Sequence, residues 1–164
     1  MSRLLVVHHT PTPSVEALLG AVLDGANNDA IEGVDVQSLA ALEPDADAVL
    51  AADGLVLLTP ANFGYMSGAL KHFFDSIFLQ AGGALSDDGS APESSEGSSG
   101  GKKPYGLLVH GRYDTTGAVR SVQSIVQALP WTQAAETVEI MGDVDEAALD
   151  QARELGATLA ALIS

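Results

Sequence analysis

Three short segments concentrate residue types that can grip a ligand. The first reads His8-His9-Thr10-Pro11-Thr12-Pro13-Ser14. Hydroxyls fall on alternate residues just before a stretch of helical periodicity. The free N–H groups and partial positive charge of a helix start suit a phosphate. Thr12 is the expected cap and Pro13 the expected first helical residue, although plain capping would use the same residue types. His9, Thr10, Thr12 and Ser14 are the candidate contacts. His8 and His9 raise metal or proton chemistry, yet no acidic residue adjoins them. Strand-end histidines facing solvent or a neighbouring loop account for the pair.

The second segment runs from Thr59 through Pro60-Ala61-Asn62-Phe63-Gly64-Tyr65 to Lys71. Asn62 and Gly64 tolerate unusual backbone angles, so N–H and C=O groups there can turn toward a ligand. Phe63 and Tyr65 offer flat apolar faces. A planar heterocycle wants that combination, with aromatic walls and backbone hydrogen bonds at its polar edge. Residues 60–65 are the candidates, and Ser67 is the expected cap of the helix that follows. The third segment, His110-Gly111-Arg112-Tyr113-Asp114, leads into Thr115-Thr116-Gly117 and offers similar parts. Arg112 is positioned either to reach an anionic group or to neutralise nearby acids.

Other motifs fail on context. Gly97-x-Ser99-x-Gly101 matches a hydrolase nucleophile pattern but sits in a Ser/Gly-rich stretch without the strand-then-helix setting. Gly100-Gly101-Lys102 lacks the remainder of a nucleotide-binding P-loop. A phospho-receiver would need acids where His8-His9 and Thr59-Pro60 stand. There is no zinc or calcium spacing, no carboxylate pair and no Ser–His–Asp set, so no catalytic side chain is assigned.

The elements that must position these loops alternate. Leu4–Val7, Gly54–Thr59 and Tyr105–Val109 are continuous apolar runs, the pattern of strands buried on both faces. Val34–Leu39 and Thr137–Met141 are further strand candidates. Helical stripes fall at Val15, Leu18, Leu19, Val22 and Ala26; at Met66, Leu70, Phe73, Phe74, Ile77 and Phe78; at Val119, Val122, Ile125, Val126 and Leu129; and at Ala148, Ala152, Leu155, Leu159 and Leu162. A short helix is expected at Ala46–Ala52, with Pro44 as its entry signal. Residues 82–103, rich in Gly, Ser, Asp and Glu, read as a flexible loop. Strand–helix alternation implies an α/β fold: a doubly wound, five-stranded parallel sheet of order 2-1-3-4-5 with helices on both faces. Ligands then bind at the carboxyl ends of the strands, where the three loops lie.

Bulk numbers narrow the class. The 164 residues favour one domain spanning 1–164, and 46% hydrophobic content is enough for an ordinary core. Seven basic against 22 acidic residues give a formal charge of −15, which repels nucleic acid and anionic membranes. Adaptation to a salty interior is a second reading of the same charge. No cysteine is present, which excludes disulfides, thiolate metal sites and cysteine nucleophiles. The apolar run Leu4–Val7 is too short for a signal-peptide core or a membrane span, so a cytoplasmic protein without membrane insertion is expected.

Thr59-Pro60-x-Asn62-x-Gly64-x-Met66-Ser67-Gly68-Ala69-Leu70-Lys71-x-Phe73-x-Asp75 resembles the flavin-loop signature of flavodoxin-like NAD(P)H-dependent FMN reductases and related quinone reductases. Lys103-Pro104-Tyr105-Gly106 is similar too, and the resemblance runs from end to end. It implies a flavodoxin-like fold and bound FMN, with residues 10–14 on the phosphate, 61–65 lining the isoalloxazine and 110–114 closing over its pyrimidine side. The chain departs from the family pattern Thr/Ser-x-Thr-Gly-x-Thr: Pro13 stands where the glycine would fall, and Ser14 comes one position early. The implied activity is hydride transfer from NAD(P)H to the flavin, then reduction of a quinone, a flavin or a similar acceptor. A low reduction potential is expected from the acidic surroundings. The alternatives are a flavodoxin-type one-electron carrier docking on a redox partner protein, and a flavin-free binding module. Related reductases often bury the flavin edge at a dimer interface, which keeps a homodimer in view.

Overall fold

Leu4–Val7 is buried on both faces because side chains along each central strand alternate between two helical layers. Leu5, Val7, Leu55, Leu57, Leu107 and Val109 join one core cluster, whose helical members include Val49, Phe73, Phe74 and Val122. Leu4, Val6, Val56, Leu58 and Leu108 join the other, with Leu18, Val22, Ala152 and Leu159. A period of two in the strands thus feeds a layer of three helices on one side and two on the other.

A computed structural model describes residues 1–82 and 102–164; most of the expected 82–103 loop lies outside the described residues. The elements are β1 (Ser2–His8), α1 (Pro13–Ala26), β2 (Val34–Ala40), α2 (Ala46–Ala51), β3 (Gly54–Asn62), β4 (Tyr65–Met66), α3 (Gly68–Ala81), β5 (Lys103–Gly111), α4 (Thr116–Val126), β6 (Trp131–Gln133), β7 (Val138–Met141) and α5 (Glu146–Ile163). The sheet runs β2-β1-β3-β5-β6, with β7 also paired to β5 and the two-residue β4 antiparallel to β3. This is the expected doubly wound order, with its fifth strand in two pieces.

Several boundaries differ from the sequence reading. Residues 131–133 were not expected as strand. Trp131 is fixed there by tilted contacts with Phe74 and Tyr105, whose ring centroids lie 6.3 and 6.5 Å away. Met66 belongs to β4 rather than to the following helix, which starts at Gly68. Helix α2 is entered through Asp45, whose Oδ1 accepts the Ala48 N–H at 3.0 Å. Leu162, the last member of the α5 stripe, is exposed, and Leu129 is buried beyond the end of α4. Helices α1 and α5 approach closely: a Cβ on Gly25 would meet the Arg153 carbonyl, and one on Gly156 the Val22 carbonyl.

Candidate functional site

Parallel strands deliver their carboxyl ends to one edge. The registers His8↔Leu58, Pro60↔His110 and Gly111↔Met141 set the ends of β1, β3, β5 and β7 side by side. The three expected loops therefore open together, joined by the turn between β7 and α5.

In the first loop Thr12 is extended, its Oγ1 accepts the Val15 N–H at 3.4 Å, and Pro13 opens α1. The His9 N–H donates to the Leu58 carbonyl at 3.1 Å, pinning the loop to β3. Among the described residues, the N–H groups of Thr10, Thr12 and Ser14 have no backbone or side-chain acceptor. An anion seated on α1 would find those donors free, so this loop fits a phosphate despite Pro13. The half-buried His8 ring brings Nδ1 to 3.3 Å from Thr10 Oγ1. Burial holds the His8 pKa below its ordinary value, and the neighbouring His9 lowers it further; burial lowers His9 as well. Nδ1 of His9 is shielded from solvent and has no partner. A cavity of about 160 Å³ separates His8, His9, Thr10 and Pro11 from Ala40–Leu42.

The second loop is a tight hairpin. Asn62 pairs with Tyr65, and the two residues between them, Phe63 at φ 52° and Gly64 at φ 72°, are both left-handed. That geometry is a primed two-residue turn, which glycine accepts freely and phenylalanine does not. Phe63 is nonetheless fully exposed, and Tyr65 is 45% exposed. A buried polar knot stands behind them. Thr59 Oγ1 donates to the Pro60 carbonyl at 2.8 Å and accepts the Ser67 N–H at 3.0 Å, while Ser67 Oγ caps α3 by accepting the Leu70 N–H at 3.2 Å. Pro60 is buried and Ala61 half-buried, so these two shape the floor of the loop, whereas Asn62 to Tyr65 face outward.

The third loop is tied to β7 and its turn. His110 Nε2 lies 2.7 Å from the Gly142 carbonyl, the Gly142 N–H donates to the Gly111 carbonyl at 2.8 Å, and Thr115 Oγ1 donates to Glu139 Oε1 at 2.6 Å. Arg112 donates to Asp143 at 3.1 Å. The Thr116 N–H donates to Asp114 Oδ1 at 2.9 Å and holds that carboxyl below the usual range. Gly111 is buried, with a virtual Cβ 3.2 Å from the Ala61 Cβ, and Tyr113 is 88% exposed.

The loops touch in sequence order: the first reaches the second through His9 and Leu58, and the second reaches the third through Ala61 and Gly111. The exposed rings of Phe63, Tyr65 and Tyr113 supply the apolar faces that a planar ring would need, beside free donors for its phosphate. The residues therefore fit FMN. Sequence reasoning missed the Met141-Gly142-Asp143 turn. Its one local signal was Gly142-Asp143 ahead of Asp145, whose Oδ1 caps α5 at 2.9 Å.

A doubly wound parallel sheet with ligand-type loops at this switch point defines a flavodoxin-like protein. Residues 20–139 match the family model described as NADPH-dependent FMN reductase, and the chain belongs to that family. It is 30% identical over 129 residues to a flavodoxin from Aquifex aeolicus (strain VF5), covering 71% of this chain and 69% of that protein. In fold it resembles a flavodoxin from the domain Archaea, with 13% identity, TM-score 0.76 and 98% of each chain covered. An azoreductase from Bacillus anthracis str. Sterne is similar at 18% identity and TM-score 0.70, with 99% of this chain and 100% of that one covered. Among the described residues, no helix is long and apolar enough to cross a membrane.

Proposed function

We propose that this chain binds FMN at the carboxyl ends of β1, β3 and β5 and acts as an oxidoreductase. The donor is NADH or NADPH, and the acceptor is a quinone, a flavin or a similar small molecule. What carries the reading is one juxtaposition: free N–H donors at the start of α1 share a sheet edge with the exposed rings of Phe63, Tyr65 and Tyr113, in a member of this family. Bound flavin supplies the hydride and electron chemistry, which the protein only orients and tunes. His9, Thr10, Thr12 and Ser14 would hold the phosphate. Pro60 to Tyr65 would line the ring, and His110 to Asp114 would close its polar edge. The test is the absorbance spectrum of freshly purified protein with and without added FMN, followed by stopped-flow mixing with NADH and with NADPH. A flavin spectrum and fast direct reduction are expected; no flavin uptake would overturn the reading.

A second reading is a one-electron carrier that docks on a redox partner protein. The similarity to a flavodoxin and the −15 charge favour it. Such a carrier would bind FMN yet stay oxidised in NAD(P)H until a reductase is added. Electrostatic docking would also make its rate fall steeply with salt.

A further inference from the structure

Phosphate recognition without a fixed cation is electrostatically awkward in a chain of net charge −15. No lysine or arginine lies in residues 4–70, and Glu16 sits in the first turn of α1, where it opposes an anion. The groups in the loop that can become cationic are His8 and His9. The two residues line one cavity of about 160 Å³ with Thr10 and Pro11. One ring nitrogen, His8 Nδ1, already faces the hydroxyl of Thr10. Another, His9 Nδ1, is shielded and unpartnered.

We propose that His8 and His9 form a proton-gated counter-charge for a phosphate monoester, taking up a proton from solvent when the phosphate seats on residues 9–14. This rests on the flavin reading and adds to it a pH control over the phosphate end of the ligand. In the step, a ring nitrogen lone pair accepts the proton, imidazole becomes imidazolium, and the phosphate keeps its charge.

The surroundings leave the pair free to respond. From β2 and its turn the cavity is walled by Ala40, Ala41 and Leu42, none of them titratable. Glu43 and Asp45 follow on that turn, and Glu16 lies on α1. From β3 the neighbouring residues are Leu58 and Thr59, both uncharged. Burial, and for His8 also the neighbouring His9, lowers the pKa of each ring. Burial thus favours the neutral form of both rings in the free chain, and a nearby dianion would favour their charged forms. Affinity for the phosphate should rise as pH falls through the interval between free and bound pKa values.

The experiment is fluorescence titration of the full chain with FMN and with riboflavin between pH 6.5 and 8, above the second phosphate pKa of about 6, so that the dianion predominates. FMN affinity should rise as pH falls, approaching about tenfold per pH unit for each proton taken up. Riboflavin, which lacks the phosphate, should show no such slope. The slope should vanish in the His8→Gln/His9→Gln double variant. Equal slopes for the two ligands, or an unchanged slope in the variant, overturn the proposal. A second arm needs no flavin. Histidine ring NMR with added inorganic phosphate should move the His8 and His9 titrations to higher pH, and no movement overturns the proposal. Failure of FMN to bind at any pH would overturn the cofactor reading, while the phosphate arm still decides this one.

Discussion

The carbonyl oxygen of Gly64 occupies the place where a Cβ on Gly117 would lie. The start of α4 thus presses directly on the hairpin turn that holds Phe63. Gly117→Ala must push the 64–65 peptide outward, and overpacking of this kind costs about 1–3 kcal/mol. The strain falls on the candidate ring-binding turn, so FMN affinity should drop by roughly 5–150-fold at that cost. Far-UV circular dichroism should be unchanged. Fluorescence titration checks the affinity, and wild-type binding would show that the turn is free to move.

Thr59 ties both ends of the same loop through one hydroxyl. Thr59→Val keeps the shape but leaves the buried Ser67 N–H without its acceptor. A buried unsatisfied group costs about 1–3 kcal/mol. Urea unfolding should report a loss of that size, and Thr59→Ser, which restores the hydroxyl, should recover most of it.

These two relationships also mark what was legible in the sequence. The buried runs of β1, β3 and β5 could be read directly, because a strand covered on both faces has no polar phase to confuse it. Thr12 and Ser67 could be read as caps, because capping is local. Trp131–Gln133 could not, because three residues carry no periodicity and their strand state comes from distant partners, Tyr105 on the neighbouring β5 and Phe74 on α3. The Arg112–Asp143 pair was equally hidden, since its partners are 31 residues apart. The loops of the candidate site were legible as loops, but their mutual contacts were not.

Burial lowers His8 and His9 from their ordinary value of 6.5, so the unfolded chain binds more protons than the folded one just below that value. Their contribution to stability is present above pH 6.5 and is lost as pH falls through the folded-state values. The Tm of the flavin-free chain should decline between pH 7 and 5. The decline should be shallower in the His8→Gln/His9→Gln double variant. Asp114, whose carboxyl is lowered from 3.8, titrates below this window and does not confuse it.

Arg112 and Asp143 are both largely exposed, and exposed pairs contribute about 0–1 kcal/mol. Arg112→Gln should therefore leave Tm nearly unchanged. If Arg112 instead holds an anionic part of the ligand, FMN affinity should fall tenfold or more, about 1.4 kcal/mol. The engaged geometry favours a change smaller than threefold, and isothermal titration calorimetry separates the two.

The same pair governs the last expectation. Asp143, Asp145, Glu139 and Asp114 gather at the carboxyl ends of β5 and β7, and the one arginine among them is neutralised by Asp143. Electrons added to a flavin at this edge would enter a region of fixed negative charge, which disfavours the reduced anion. The midpoint potential of the FMN-loaded protein should lie below that of free FMN and rise with added salt as the field is screened. Asp143→Asn removes one negative charge and frees Arg112, so both changes push the potential upward. Spectroelectrochemical titration of the two proteins measures the difference directly. A potential above that of free FMN, or no rise in Asp143→Asn, would place the acidic cluster outside the electrostatic reach of the flavin.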